Sequence, residues 1–288
     1  MSRKPTVAMV GAGSLATSLA IALHEAGFRI TEIVVRKSPA LHQRARSLAA
    51  KVGAKVTTVN SAALGAALLW LCVPDREIRS AASALAARVS PHRKNTIRFA
   101  FHSSGALLSH ELNPLSRAGV AVASVHPLMT FVAKANPSLK GVPFAIEGDE
   151  SAKRVARSII RELGGQSFPL PPARKAAYHA WATMTSPLLL AFLVTLEEAA
   201  RAAGLTREDA RRKSLPIIMQ TLANYSRLGP AESFSGPLIR GDAETIAKHL
   251  AVLKKLPGAR QVYLALAQAA LRGLPVKNRR ELKRLLQN

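Results

Sequence analysis

A glycine-rich turn near the amino-terminal end constrains the fold of this chain more than any other feature. The segment Gly11-Ala12-Gly13-Ser14-Leu15-Ala16 follows the apolar run 7–10 and precedes an amphipathic, helix-forming stretch over 15–26. A G-x-G-x-x-A pattern between a strand and a helix is a dinucleotide-binding fingerprint: the first glycine makes the tight turn, and the second lets backbone N–H groups approach a pyrophosphate. The pattern predicts a βαβ unit that binds a cofactor through Gly11, Ala12, Gly13, Ser14 and Leu15. A strand-to-helix turn without a ligand is the alternative.

Basic residues follow the second predicted strand, at the place where a NAD-specific protein usually carries an acid for the ribose hydroxyls. The strand over 30–35 runs into Arg36-Lys37-Ser38, whereas Glu32 lies near its start. A guanidinium group matches a phosphate bidentately, and the lysine adds a positive charge. The segment therefore predicts NADP as the cofactor, with Arg36, Lys37 and Ser38 at the 2′-phosphate. A solvated basic turn on a basic protein is the alternative.

The composition is that of a globular protein with a large core, because 48% of the 288 residues are hydrophobic. This length predicts one large or two medium domains. The one cysteine, Cys72, excludes an internal disulfide framework, and the sequence lacks the clustered Cys and His spacings of a zinc site. No secretory signal is recognisable before the first predicted strand, so we expect a cytoplasmic protein.

The net charge of +24 raises the question of nucleic-acid binding. The excess of Lys and Arg is spread over both halves of the chain, and aromatic residues make up only 5% of it. Few stacking platforms are therefore available for single strands. Diffuse charge indicates a solubility feature or a field that attracts an anionic cofactor and substrate. We expect no specific nucleic-acid partner.

Short apolar runs alternate with helical stretches as far as residue 170, which predicts an α/β fold with a doubly wound, mostly parallel sheet. The predicted strands are 7–10, 30–35, 55–59, 67–73, 96–101, 120–125, 144–146 and 167–168. Prolines at 169, 171 and 172 then form a stiff break. We therefore expect a Rossmann dinucleotide-binding domain over 1–170 and an all-helical domain over 171–288.

The helical part opens with an apolar stretch that predicts one long helix over 173–203, about 45 Å in length. The stretch is apolar on most faces, so the remaining helices or a second subunit must cover it. Polar residues within 176–196, among them Tyr178, His179 and Thr183, favour a buried helix over a membrane span.

Candidate site residues stand where the predicted strands end, because ligands of parallel sheets bind beyond the carboxyl ends of the strands. Cys72, Val73 and Pro74 should border the cofactor. The side chain of Cys72 is expected to be buried, like that of a small hydrophobic residue. The next strand runs into His102-Ser103-Ser104-Gly105, and another ends in His126-Pro127-Leu128. Both histidines are therefore expected at the carboxyl ends of the strands, the side of the sheet on which a reaction would take place. For each histidine, the alternative is a structural side chain whose ring nitrogens are hydrogen-bonded within the protein.

Five blocks spread over nearly the whole chain carry a family resemblance. They are His102-Ser103-Ser104-Gly105-Ala106, Ser124-Val125-His126-Pro127-Leu128, Lys175 with Tyr178-His179, Ser235-Gly236-Pro237, and Arg240-Gly241-Asp242. The chain resembles the 6-phosphogluconate dehydrogenase-like superfamily, which includes ketopantoate reductase, pyrroline-5-carboxylate reductase and the β-hydroxyacid dehydrogenases. Within it, the chain is most similar to a family of uncharacterised Rossmann-like NADP oxidoreductases with a C-terminal domain of unknown function.

The resemblance implies roles for two residues at the start of the long helix. In the β-hydroxyacid dehydrogenases this helix begins with a catalytic lysine, followed four residues later by an asparagine. Lys175 and His179 have that spacing here, so both would lie on one helical face. A histidine in place of the asparagine can transfer a proton, where an amide can only orient a substrate. Lys175, His179 and His126 are therefore the catalytic candidates.

A nicotinamide reductase needs a hydride donor, a group that protonates or polarises the carbonyl or imine, and usually a cation for the substrate carboxylate. Ser103 is expected at the cofactor, and His102, Ser104 and Arg240 are expected at the substrate. For the segment 240–242 a structural role, with Asp242 as a helix N-cap, is the alternative.

These observations predict an NADP-dependent oxidoreductase that transfers a hydride between NADP(H) and a small, anionic carbonyl/hydroxy or imine/amine substrate. The alternative is an NADP-binding sensor or regulatory protein without turnover, because a fold and a cofactor do not establish chemistry. The resemblance also implies a homodimer built through the helical domain.

Overall fold

The computed structural model describes residues 4–89, 96–133 and 135–287. The chain divides into two compact units, Met1–Thr183 and Met184–Asn288. The boundary lies beyond the proline-rich segment at 169–172 because the helix that begins at Lys175 buries Lys175 and Tyr178 within the first unit.

An eight-stranded sheet forms the centre of the first unit. Its strands are β1 (Val7–Val10), β2 (Ile30–Val34), β3 (Lys55–Thr57), β4 (Leu68–Leu71), β5 (Phe99–His102), β6 (Ala121–Pro127), β7 (Pro143–Gly148) and β8 (Gln166–Pro169). They lie in the order β3-β2-β1-β4-β5-β6-β7-β8. Strands β1 to β6 are parallel, β7 is antiparallel to β6, and β8 is parallel to β7. The order of the first six strands is that of the doubly wound dinucleotide-binding sheet, which confirms the predicted fold class.

Helices cover both faces of this sheet. They are α1 (Ser14–Glu25), α2 (Pro39–Val52), α3 (Asp75–Ala86), α4 (Asn113–Arg117), α5 (Glu150–Glu162) and α6 (Lys175–Thr185). Buried residues of α1, α2 and α5 share one apolar cluster with Trp70 and Phe101, whereas those of α3 and α4 share another with Leu69 and Leu71. Because β1 to β6 are parallel, their carboxyl ends meet at one edge of the sheet, which we term the carboxyl edge.

The second unit is helical throughout its described residues, 184–287. Its helices are α7 (Pro187–Ala200), α8 (Arg207–Leu228), α9 (Pro237–Arg240), α10 (Ala243–Leu253), α11 (Pro257–Gly273) and α12 (Arg279–Leu285). Its apolar core is built around Ile246, Leu250 and Leu282. The carboxylate of Asp242 accepts the backbone N–H of Thr245 at 3.0 Å and so caps α10, as the structural interpretation of segment 240–242 predicts.

The stretch predicted as one long helix over 173–203 is helical, but it is interrupted. The chain instead forms α6 and α7, about 16 Å and 21 Å long, with a break at Ser186. Ser186 leaves the helical region (φ −124°, ψ −73°) because the ring of Pro187 crowds the residue before it. Proline is well tolerated in the first turn of α7, where its missing N–H has no partner to lose.

None of the residues of α7 is buried in the single chain, so the other described helices do not supply the expected cover, which leaves a second subunit. Among the described residues, the one helical stretch long and apolar enough to cross a membrane is Pro172–Ala203, whose most apolar 18 residues have a mean hydropathy of 1.4. Length and composition alone are a weak argument for a span, because core helices of globular proteins meet the same criterion.

Candidate functional site

The glycine turn joins β1 to α1 at the carboxyl edge, and each glycine has its own reason to be there. Gly11 has φ +108°, and a Cβ on it would lie 2.4 Å from the carbonyl oxygen of Cys72, so only glycine fits. Gly13 is extended and caps α1 without a side-chain hydrogen bond, and a Cβ on it would meet no described atom within 4 Å. The space beside Gly13 at the start of α1 is therefore open, and the helix dipole favours an anion there.

A cavity of about 450 Å³ lies beside this turn. Gly11, Ala12, Gly13, Arg36, Cys72, Val73 and Pro74, all predicted at the cofactor, line it together with Arg44 of α2 and Glu77 of α3. Ser14 and Arg44 border a second depression that also contains Lys51, while Lys37 and Ser38 border a shallow one with Arg46. Leu15, predicted at the cofactor, lies in the first turn of α1. The turn, the apolar walls and the cations match a dinucleotide with an anionic pyrophosphate.

Arg36, the residue predicted to hold the 2′-phosphate, forms an ion pair with Glu77 at 3.1 Å. Its side chain is 68% exposed and can therefore turn toward a ligand. Glu77 was not predicted, because it comes from the start of α3, about 40 positions beyond the basic turn. Glu32 plays no part in this region, since its carboxylate accepts the backbone N–H groups of Ala63 and Leu64.

The polar side chains at the carboxyl end of β5 make most of their hydrogen bonds within the protein. The imidazole of His102 is buried, and its ring nitrogens contact the carbonyl oxygen of Leu108 at 3.0 Å and the N–H of Ser104 at 3.1 Å. Burial lowers the pKa of His102 to about 4, so the ring is neutral at pH 7. The hydroxyl of Ser104 donates to Asp75 at 2.8 Å and accepts the N–H of Leu107. This geometry gives no support to substrate contacts by His102 and Ser104, because substrate would have to displace internal hydrogen bonds.

Ser103 connects the cofactor cavity with the end of β5. Its hydroxyl accepts the indole N–H of Trp70 at 2.9 Å and hydrogen-bonds to the thiol of Cys72. Burial of the thiol raises the pKa of Cys72 to about 12, so the group stays protonated and inert. Ser103, predicted at the cofactor, does not itself line the cavity but contacts Cys72, which does.

Lys175 of α6 is buried in a polar network rather than exposed in a cleft. Its ammonium group donates to the hydroxyl of Ser124 at 2.5 Å and lies 3.6 Å from the carboxylate of Glu147. Glu147 also accepts the N–H and the hydroxyl of Ser109 at 2.6 and 2.8 Å. Desolvation lowers the pKa of Lys175, and the charge of Glu147 opposes that shift. Lys175 is therefore buried beside Glu147, one helical turn before His179 on α6.

His126 and His179 converge on Gly105. A Cβ on Gly105 would lie 2.8 Å from Nε2 of His126 and 2.9 Å from Cδ2 of His179, so glycine is required for the two imidazoles to reach this point. Nδ1 of His126 lies 2.6 Å from the hydroxyl of Tyr178. Burial, followed by the charges of Lys175, His179 and His102, lowers the pKa of His126 to about 4.

The first unit thus brings together His126 of β6 with His179 and Lys175 of α6. Arg240, the predicted substrate anchor, ends α9 in the second unit and is exposed there.

Three groups in the network had no predicted role, namely Ser124, Glu147 and Tyr178. Tyr178 belongs to one of the blocks that carry the family resemblance. Glu147 gave no signal, because the sequence does not show that β7 runs antiparallel to β6. Among the described residues no cluster of His, Cys, Asp and Glu could hold a metal ion.

Comparisons of sequence and structure now identify the two parts of the chain. Residues 2–127 match the Rossmann-like domain family, and residues 142–270 match the family described as a domain of unknown function, DUF2520. The chain combines a Rossmann-like domain with a DUF2520 domain. No curated protein matches the sequence.

Solved structures share this architecture over nearly the full length. Protein BF3122 from Bacteroides fragilis, a proposed NADP oxidoreductase, is 24% identical, with a TM-score of 0.74 over 92% of this chain and 97% of its own. An imine reductase from Myxococcus stipitatus in complex with NADP+ is 15% identical, with a TM-score of 0.66 over 98% and 100%. A pyrroline-5-carboxylate reductase from Coxiella burnetii is 15% identical, with a TM-score of 0.60 over 93% and 98%. At these identities the likeness concerns the fold.

Proposed function

We propose that the protein is an NADP(H)-dependent oxidoreductase that acts on a small carbonyl/hydroxy or imine/amine substrate. The observation that carries this proposal is the convergence of the glycine turn and the imidazoles of His126 and His179 on one carboxyl edge. The three solved structures are named as a proposed NADP oxidoreductase, an imine reductase and a pyrroline-5-carboxylate reductase, which agrees with this class of reaction. A substrate with negative charge would suit a chain of net charge +24.

The residues of the glycine turn fit the cofactor. Open space in front of Gly13 admits a pyrophosphate to the N-terminus of α1, and the cavity between Arg36 and Pro74 admits an adenosine. Arg36, Lys37 and Ser38 supply a guanidinium, an ammonium and a hydroxyl for the 2′-phosphate, and Arg44 adds a second guanidinium. When bound, the nicotinamide supplies or accepts the hydride.

The residues of the chain would handle the polar end of the substrate. His126 and His179 lie where a hydrogen bond to the substrate oxygen or nitrogen could form, and Gly105 leaves them room to approach. Lys175 acts on this pair through its charge, because its own ammonium group is held by Ser124 and Glu147. Its positive charge favours the neutral form of His126.

Turnover by the purified protein tests the proposal directly. NADPH consumption is measured against a panel of small keto acids, aldehydes and cyclic imines, with wild-type protein and the variant His126→Ala. We expect turnover of at least one substrate, lowered about 100-fold or more in the variant, because acid–base and hydrogen-bonding groups of this kind contribute 10²–10⁴ in rate. Tight NADPH binding without turnover across the panel would instead favour the sensor without catalysis.

We further propose that the second unit mediates a homodimer. Leu188, Leu190 and Val194 of α7 are more than half exposed, as are Leu215 and Ile217 of α8. Large apolar side chains exposed on two helices that pack together mark an interaction site, and closed two-fold dimers are the commonest oligomers.

A further inference from the structure

The hydrogen bond between Tyr178 and His126 fixes one side of the candidate active site. The tyrosine hydroxyl lies 2.6 Å from Nδ1, and the two rings meet edge to face with centroids 5.6 Å apart. Tyr178 is 7% exposed, and its ring also packs against Phe168 and Trp181. The phenol ring is therefore held in place by packing, independently of the hydrogen bond that it makes.

Both partners are neutral near pH 7. Burial raises the pKa of Tyr178 to about 12. Burial and three neighbouring basic groups, Lys175 first among them, lower the pKa of His126 to about 4. A neutral imidazole carries its one proton on either Nδ1 or Nε2, and the hydrogen bond at one nitrogen decides which.

The chemistry of the pair selects one arrangement. A phenol O–H is a stronger donor than an imidazole N–H, and an unprotonated imidazole nitrogen is a stronger acceptor than a phenol oxygen. Tyr178 therefore donates to Nδ1 of His126. Nδ1 is then an acceptor, and the imidazole proton must reside on Nε2, the atom that lies against Gly105 beside His179.

We propose that Tyr178 is a positioning residue that holds neutral His126 in its Nε2–H tautomer, so that His126 presents a hydrogen-bond donor to the substrate oxygen or nitrogen. This deepens the proposed function and rests on it for the identity of the acceptor. Such a donor polarises a C=O or C=N bond without giving up its proton. A neutral donor that is already oriented needs no reorganisation when negative charge develops on the substrate.

The tautomer can be measured without cofactor or substrate. Protein labelled with ¹⁵N-histidine is examined at neutral pH by two-bond ¹H–¹⁵N correlation, and the His126 signals are identified by their loss in His126→Gln. We expect a protonated Nε2 and an unprotonated Nδ1 in the wild type, and a mixture of tautomers in Tyr178→Phe, which keeps the ring. A wild-type proton on Nδ1, or an unchanged tautomer in Tyr178→Phe, would overturn the proposal.

The second unit offers a matched control. His249 and Tyr263 form a similar pair, with Nδ1 3.1 Å from the hydroxyl and centroids 5.9 Å apart. Tyr263→Phe removes a tyrosine hydroxyl from a histidine in the same way, and we expect it to leave the His126 signals unchanged. Equal thermal stability of the two variants excludes a general loosening of the fold as the cause of any change at His126.

Kinetics separate this proposal from the proposed function. With a substrate in hand, we expect Tyr178→Phe to lower kcat about tenfold or more at an unchanged KM for NADPH, because the donor is misplaced while the cofactor site is intact. His126→Gln should retain part of the activity, since an amide N–H can replace Nε2–H. An unchanged kcat in Tyr178→Phe contradicts the positioning role. Absence of turnover in the wild type, with the expected tautomer observed, contradicts only the oxidoreductase function.

Discussion

Gly11 and Gly13 are two residues apart, yet their substitution should affect different properties. Gly11→Ala places a Cβ against the backbone of Cys72 and forces a positive φ on alanine, so we expect a lower melting temperature. Gly13→Ala meets no described atom and keeps an ordinary backbone conformation, so its melting temperature should match the wild type. Its methyl group would occupy the space predicted for the pyrophosphate, and NADP affinity should fall. Calorimetric melting and cofactor titration of both variants check this. A Gly13→Ala protein with full NADP affinity would place the pyrophosphate elsewhere.

Arg36 should discriminate between the two nicotinamide cofactors. We expect Arg36→Ala to lose about 1–3 kcal/mol of binding free energy for NADP and little for NAD, because a charge-assisted hydrogen bond to the 2′-phosphate is removed. Glu77→Gln should change NADP affinity in the opposite direction by about 0.2–1 kcal/mol, since the exposed pair with Arg36 no longer competes. Titrations of both cofactors measure these effects, with the exposed Arg154→Ala of α5 as the control. Equal wild-type affinities for NAD and NADP would refute the assignment.

Residues whose role depends on their neighbours in sequence were predictable, and those whose role depends on distant contacts were not. Gly11 and Gly13 could be interpreted because the turn, its strand and its helix lie within 20 residues. Arg36 lines the cavity beside the glycine turn, whereas its partner Glu77 follows β4 and gave no signal in the sequence. His102 illustrates the converse, because a strand-end histidine looks the same in sequence whether its nitrogens bind a substrate or the backbone of Leu108.

At the scale of elements, β7 and α6 are joined by the buried pair of Glu147 and Lys175. Removing one member of such a pair strands the other charge in the core, so we expect Lys175→Met to cost about 3–5 kcal/mol in the free energy of unfolding. The double variant Lys175→Met/Glu147→Gln should recover part of this loss. Both tryptophans, Trp70 and Trp181, lie in the first unit, so urea unfolding followed by tryptophan fluorescence reports on it. A Lys175→Met protein within 1 kcal/mol of the wild type would contradict a stabilising ion pair.

The ends of β5 and β6 should make the first unit sensitive to acid. Burial lowers the pKa values of His102 and His126 from 6.5 to about 4, so the unfolded chain binds more protons than the folded one between these values. The stability that comes from keeping both rings neutral is therefore complete above pH 6.5 and is lost as the pH falls toward 4. Urea unfolding from pH 7.5 to 4.5 measures this slope, and His126→Gln should reduce it. A slope identical to that of the wild type would mean that His126 titrates normally.

The sequence predicted whether a segment is a strand or a helix more reliably than it predicted where that segment begins and ends. Apolar runs located all eight strands, because a buried parallel strand is apolar on both faces. The reversal at β7 left no pattern, since strand direction depends on how the chain returns to the sheet. The break at Ser186 was missed because the helix was predicted from the apolar character of the stretch, while the steric effect of Pro187 on the residue before it decides the backbone.

At the scale of the whole molecule, the apolar surface of α7 and α8 sets the expected assembly. Ion pairing between Glu197 and Arg211 links these helices, yet their outer residues are left without cover by the other described helices of the second unit. A lipid surface could satisfy the same residues, and Pro172–Ala203 is apolar enough to cross a membrane. The same stretch, however, carries Lys175, Tyr178 and His179, which are committed to the polar site of the first unit. A second copy of the chain is therefore the better partner.

The dimer is tested by a charge placed on the apolar surface. Leu190 is 62% exposed on α7, and Val252 is 54% exposed on α10, outside the surface formed by α7 and α8. By light scattering at micromolar concentration, we expect twice the chain mass for the wild type and for Val252→Glu. Leu190→Glu should have the mass of one chain, because an unpaired carboxylate in an apolar interface is strongly unfavourable. A monomeric wild type that sediments with phospholipid vesicles would identify the membrane as the partner. A wild type that is monomeric and stays in solution with vesicles would show that the exposed leucines of α7 need no cover.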